Sequence, residues 1–199
     1  MTRVAVLVSG GGSNLQALLD AQYLGELGGG EIALVISSRP GVYALNRAEA
    51  AGVPSVVIPR NNLNPEEFDA AILRELIKAK ADLVVLAGFL SIIGPRVLER
   101  YEGKILNVHP SLIPSFCGPG MYGLKVHQAA LEKGVKVTGA TVHLVSEVVD
   151  GGDIILQKAV DVLPEDTPET LQRRVMEQAE WVLLPQAVAM FCSRGSATG

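Results

Sequence analysis

Apolar residues recur along this chain in two rhythms, and the alternation between them predicts the architecture. Short β-branched runs, apolar on both faces, read as strands buried inside a sheet. They are Arg3-Val4-Ala5-Val6-Leu7-Val8, then 31–37, 55–58 and Leu83-Val84-Val85-Leu86. Stretches with helical spacing lie between them. Leu15, Leu18 and Leu19 mark a helix over 14–22, and a second covers 42–51, ended by Gly52. A third over 65–79 carries Pro65 near its first turn, where a missing N–H costs nothing. A short fourth covers 95–102. This βαβα order predicts a parallel sheet with helices on both faces.

The second half changes character. Ile105-Leu106 opens another strand, and a short helix is expected over 128–133. Runs over 137–145 and 154–160 then flank a loop around Asp150-Gly151-Gly152, a spacing that suits an antiparallel extension at the sheet edge. A long helix follows over 167–191, with Thr167 as N-cap and Pro185 expected to kink or break it. Residues 193–199 read as a frayed tail. With no linker or internal repeat, residues 1–192 are expected to form a single domain.

Composition narrows the class. The chain has 199 residues, 48% of them hydrophobic and 19% charged, which makes it globular rather than disordered. A net charge of -4 gives no basic footprint, so nucleic acid is not expected as a partner. The longest apolar stretch, 83–93, is interrupted by Gly88 and falls far short of the roughly 18 residues of a membrane span, so no membrane partner is expected either. Cys117 and Cys192 are isolated and make no paired framework or metal-ligand spacing. The expectation is a cytoplasmic enzyme without a metal.

Three segments carry candidate chemistry. Ser9-Gly10-Gly11-Gly12-Ser13-Asn14 joins the first strand to the first helix, where backbone N–H groups can hold a phosphate. The dinucleotide fingerprint fails because its third glycine falls on Leu15, and no Lys-Ser/Thr pair completes an ATP-binding loop. A sugar monophosphate fits better. In Asn107-Val108-His109-Pro110-Ser111-Leu112-Ile113-Pro114, residues 107 and 109 share one face of a strand end. An amide and an imidazole there suit a carbonyl oxygen that gains negative charge. Asp150-Gly151-Gly152 is an ordinary turn unless its carboxylate reaches His109.

Together these segments resemble the folate-dependent phosphoribosylglycinamide formyltransferases of purine synthesis. The likeness covers nearly all of the chain: residues 6–17, 82–89 and 107–114, then Thr141-Val142-His143 and 150–157. With the βαβ rhythm it implies a Rossmann-like α/β fold, a mostly parallel twisted sheet flanked by helices with an antiparallel C-terminal extension. It implies small-molecule substrates, glycinamide ribonucleotide and 10-formyltetrahydrofolate, the latter as formyl donor. By motif position, Asn107, His109 and Asp150 become the catalytic trio. Gly12, Ser13 and Asn14 would hold the phosphate. Gly88, Pro110 and Glu180 would line the rest of the ribonucleotide site, with Glu180 on the ribose hydroxyls. Leu90, Ile93, Val145 and the loop to Asp150 would border the pterin. His143 reads as support for the site, and His127 as structural.

The chain departs from some relatives where arginines meet the folate tail; Ser91 and, by approximate alignment, Pro65 stand there, with Arg60 or Arg96 as substitutes. The segment 115–123 is longer than usual, and its glycines suggest a flap. Rival readings are a formyltetrahydrofolate hydrolase, a Cys117 thiol nucleophile, and a catalytically silent nucleotide- or folate-binding protein.

Overall fold

The computed structural model describes residues 1–195. Its sheet has seven strands: β1 (Thr2–Val8), β2 (Gly30–Ser37), β3 (Ser55–Val57), β4 (Leu83–Leu86), β5 (Ile105–His109), β6 (Val137–Leu144) and β7 (Ile154–Asp161), in the order β3-β2-β1-β4-β5-β6-β7. The first five pair in parallel, while β6 and β7 add antiparallel at one edge. The helices are α1 (Ser13–Tyr23), α2 (Tyr43–Ala50), α3 (Pro65–Lys78), α4 (Pro95–Arg100), α5 (Leu124–Lys133), α6 (Pro168–Val175) and α7 (Trp181–Gly195). The α/β order and the antiparallel extension thus follow the sequence pattern.

Successive strand residues point to opposite faces, so each central strand feeds two cores. Val6 and Leu106 pack with Leu18, Leu171 and Leu184 on one side of the sheet. Their neighbours Leu7 and Ile105 pack with Phe68, Ile72 and Leu76 on the other. This is why the strands read as continuous apolar runs. The chain winds outward from β1 to β3, then returns to place β4 on the other side of β1. That reversal opens a crevice at the carboxyl ends of β1 and β4, where open α/β sheets bind ligands.

Local capping fixes the segments that border this crevice. Asn64 and Glu67 close a capping box at the start of α3, with Pro65 at its first position. One turn further on, the buried Asp69 accepts hydrogen bonds from the backbone N–H groups of Arg96 (2.9 Å) and Val97 (3.3 Å), and so caps α4 from a neighbouring helix. Gly94 makes room for it, since a Cβ there would collide with the Asp69 carboxyl. The stretch after β4 is thereby tied down at its far end.

Three elements differ from expectation. Helix α5 starts at Leu124 rather than 128, because Val126, His127 and Ala130 share its buried side. The expected single helix over 167–191 is instead α6, a π-helical turn at Met176–Glu180, and α7. There the Trp181 N–H bonds to the Met176 carbonyl, one residue further back than in an α-helix. Pro185 lies inside α7 and does not end it. The carbonyl that Pro185 leaves unpaired within the helix is that of Trp181, directly after the π turn, so both irregularities fall in one place. Of the expected tail, 193–195 continue α7, and 196–199 lie outside the described residues. Among the described residues no helix is long and apolar enough to cross a membrane.

Candidate active site

Strand β5 delivers Asn107 and His109 to the carboxyl end of the sheet. Asn107 pairs with Leu86 of β4 on one side and His143 of β6 on the other, and His109 pairs with Thr141. A cavity of about 520 Å³ opens at this point. Asn14, Gly88, Leu90, Ile93, Asn107, His109, Pro110, Val145, Asp150 and Glu180 all line it. Ten of the twelve residues singled out in the sequence therefore meet in one place, though the loops that carry them are far apart in the chain.

The polar end of the cavity is built around Asp150. Its Oδ2 lies 3.6 Å from His109 Nδ1 and its Oδ1 lies 3.6 Å from His143 Nε2, ion-pair distances slightly longer than a hydrogen bond. The Gly118 N–H donates to Oδ2 at 2.9 Å. Burial works against the carboxylate, but the Gly118 N–H and the charge of His109 outweigh it and hold its pKa below the usual range. Asp150 itself takes a left-handed backbone (φ 55°). The two glycines after it serve closeness instead, since a Cβ on Gly151 would strike Val148 and one on Gly152 the Leu144 carbonyl.

The His109 tautomer is set from the side of the ring away from Asp150. Its Nε2 lies 2.9 Å from the Phe116 carbonyl, which can only accept, so Nε2 carries the hydrogen and Nδ1 faces Asp150. His109 as a whole is 4% exposed. His143 is fixed in the same manner, its Nδ1 donating to the Leu144 carbonyl at 2.8 Å.

A family comparison decides what this arrangement belongs to. The family model described as "Formyl transferase" matches residues 2–188. The chain belongs to the formyl transferase family. It is 43% identical over 192 residues to the phosphoribosylglycinamide formyltransferase of Haemophilus influenzae, covering 96% of this chain and 87% of that protein. It is 44% identical over 190 residues to the trifunctional purine biosynthetic protein adenosine-3 of Drosophila melanogaster, covering 94% of this chain but only 14% of that longer protein. The crystal structure of glycinamide ribonucleotide transformylase 1 from Symbiobacterium toebii superposes with a TM-score of 0.91 at 42% identity, covering 98% of this chain and 89% of that one.

Within this formyl transferase, the other end of the cavity is formed by Asn14 and Glu180. Asn14 Nδ2 donates to Glu180 Oε2 at 2.8 Å. Burial pushes the Glu180 carboxyl up to about 7, against the lowering effect of Asn14. The Asn14 Oδ1 is buried with no hydrogen-bond partner among the described residues, so an acceptor stands ready there for a ligand donor. Gly12 and Ser13 do not line the cavity. Gly12 precedes α1 in a left-handed conformation (φ 74°), and the Ser13 hydroxyl faces Met176 Sδ at 3.8 Å. Ser13 instead borders an open groove between α1 and α7, shared with Arg47 and Trp181. That groove lacks the histidine and carboxylate cluster.

Sequence reasoning missed the clamp on the turn after His109. Thr141 Oγ1 donates to the Ser111 carbonyl (2.7 Å) and accepts from the Ile113 N–H (3.1 Å) and from Gln157 Nε2 (2.9 Å). Gln157 also donates to the Ile113 carbonyl at 3.0 Å. The row His109, Thr141, Gln157 across three strands would have revealed it, but only once the register was known. The peptide bond between Ile113 and Pro114 is cis. Ser9 was equally silent: it contacts the Ser38 hydroxyl and accepts from the Leu90 N–H at 2.9 Å, pinning the start of the apolar wall. The Cys117 nucleophile loses support. Burial and Asp150 push its thiol pKa up, and it donates to the Pro114 carbonyl at 3.3 Å. His127 lies within α5, fully buried, with neither ring nitrogen partnered among the described residues; burial lowers its pKa to about 4.

Proposed function

We propose that this cavity transfers a formyl group from 10-formyltetrahydrofolate to the primary amine of glycinamide ribonucleotide, and that Asn107, His109 and Asp150 carry the transfer. The observation that bears most weight is the convergence of those three side chains in one cavity of a formyl transferase, with His109 Nδ1 3.6 Å from Asp150. The folate donor fits the cavity's apolar half. Leu90, Ile93 and Val145 offer a wall for a flat ring, and the loop to Asp150 closes beside them. The ribonucleotide takes the other half. Its phosphate reaches past Asn14, beyond the cavity itself, to Gly12 and Ser13, where the first N–H groups of α1 have no partner within the helix. Glu180 meets the ribose hydroxyls, and Gly88 and Pro110 flank the path between.

The chemistry follows from charge. A neutral amine adds to the formyl carbon, and negative charge grows on the formyl oxygen. The Asn107 amide N–H and the protonated His109 ring meet that charge, the histidine from a buried position. Asp150 stabilises the imidazolium, accepts the proton that the attacking nitrogen must lose, and returns it to the departing folate nitrogen. The lowered pKa of the carboxylate favours its ionised form, the form that stabilises the imidazolium. The same reading places the reaction in the cytoplasm, on small-molecule substrates.

The test is release of tetrahydrofolate followed by absorbance, with and without glycinamide ribonucleotide. Amine-dependent release is expected. Release that ignores the amine would make the protein a hydrolase, and no release at all would leave it a binding protein.

A further inference from the structure

The turn that follows Pro114 touches both ends of the catalytic pair. Two residues apart, the Phe116 carbonyl meets His109 Nε2 and the Gly118 N–H meets Asp150 Oδ2, each at 2.9 Å. Phe116 achieves this with φ at +50°, a left-handed backbone that a bulky L-residue rarely adopts. Its neighbours are tied down, the Ser115 N–H to the Leu112 carbonyl at 3.0 Å and the Ser115 carbonyl to the Ser111 hydroxyl at 2.5 Å. Its ring packs, partly buried, against the core on that side of the sheet. Anchored on both counts, the backbone has little freedom to turn its carbonyl elsewhere. A non-glycine outlier held this firmly beside reactive groups points to a role for the conformation.

We infer that Phe116 is a positioning residue whose left-handed backbone aims its carbonyl at His109 Nε2 and so fixes the ring tautomer. A carbonyl oxygen has no hydrogen to give, so Nε2 must keep its own. The nitrogen that gains and loses a proton is then Nδ1, the one facing Asp150. If the carbonyl swung away, the neutral ring could hold its hydrogen on Nδ1 instead, with Nε2 free to turn toward the cavity. Asp150 would lose the partner geometry that the reaction uses. The inference rests on the role proposed for His109, but the tautomer can be read without any turnover.

Side-chain substitutions separate the backbone from the ring. Asparagine tolerates a positive φ, whereas β-branched valine does not. Both remove the aromatic packing. The experiment records ring nitrogen and carbon NMR shifts of the histidines in the wild-type chain, Phe116→Asn and Phe116→Val, with the His109 signals identified by their loss in His109→Gln. At a pH high enough to deprotonate the histidines, the wild type and the asparagine variant are expected to show His109 with its one ring hydrogen on Nε2. The valine variant is expected to show a mixture or the Nδ1–H form, with kcat about tenfold lower and KM for the ribonucleotide within twofold. A neutral wild-type ring with its hydrogen on Nδ1 overturns the inference even if the valine variant does not fold. So does a valine variant that keeps both the Nε2–H form and its kcat. A wild type that holds the expected tautomer yet forms no product supports the inference and overturns the proposed function alone.

Discussion

Asn107 on β5 and His143 on β6 face each other across an antiparallel pair, and their side chains touch, with Asn107 Nδ2 3.1 Å from His143 Nε2. Because His143 Nδ1 gives its hydrogen to the Leu144 carbonyl, Nε2 of the neutral ring is an acceptor. Asn107 therefore spends one N–H on His143 and keeps the other for a ligand. The histidine thus orients an amide that would otherwise rotate freely, and the same Nε2 lies 3.6 Å from Asp150.

Loss of this orientation should cost less than loss of the amide itself. His143→Phe is expected to lower kcat about tenfold, the worth of a single well-placed hydrogen bond. In an Asn107→Ala background the same change should add little, because the two residues act as one unit. Steady-state kinetics on the two single variants and the double variant checks this; additive losses would separate the residues.

Asn107→Ala and His109→Ala should each reduce turnover by about 10²–10³, or roughly 3–4 kcal/mol, as loss of an oxyanion donor does. KM for the ribonucleotide should stay within a few-fold, since neither side chain holds the phosphate or the ribose. Turnover close to wild type in either variant would remove that residue from the chemistry.

Glu180 makes stability depend on pH in an unusual direction for a carboxylate. Its pKa is about 7 in the folded chain against an ordinary value of 4.5, so the folded state holds a proton that the unfolded state has released. The resulting stabilisation is complete below pH 4.5, fades as pH rises, and is gone above 7; at full extent it is about 3 kcal/mol. Denaturant unfolding across this window should show the decline, and Glu180→Gln should flatten it and be more stable than wild type at pH 8. A wild-type stability that rises through the same window would contradict the assignment. The variant should also raise KM for the ribonucleotide, because a neutral amide replaces the carboxylate at the ribose.

Far from the cavity, Asp166 shows the opposite sign. Its carboxylate is gripped by both Arg174 Nη atoms at 2.5 and 2.7 Å and also accepts from the Leu163 N–H and the Thr170 hydroxyl, so its pKa falls to about 2. The stability it lends is present above its ordinary 3.8 and is lost as pH falls through 2. Asp166→Asn should destabilise by about 1–3 kcal/mol at neutral pH, read as a lower denaturant midpoint, with kcat unchanged. A loss of kcat without a loss of stability would tie this pair to the site instead.

Much of this architecture can be read from the residues, and the failures have physical causes. Continuous apolar runs such as Val4 to Val8 declare two-sided burial, and the fall in apolarity after residue 145 fits an edge strand with one exposed face. The last helix misleads because Leu171, Val175, Ala179 and Leu183 repeat every four residues, a pattern that an α-helix and an α-helix with a π turn both satisfy. Pro185 points to an irregularity but not to its place. In the site, Asn107 and His109 are legible because strand alternation puts them on one face. Asp150 is legible only through resemblance, since Asp-Gly-Gly is a common turn. Thr141, Gln157 and the Phe116 carbonyl are invisible without register and backbone angles, as their partners are main-chain atoms that any residue supplies.

The most direct test is single-turnover formylation of glycinamide ribonucleotide by enzyme in excess, with the formylated product counted by mass, comparing wild type with Asp150→Asn. The asparagine is nearly isosteric but can neither stabilise a charged His109 nor carry a proton. A rate at least 10²-fold slower, with unchanged thermal melting and unchanged ribonucleotide binding, is the predicted result. A rate within a few-fold of wild type would contradict the account.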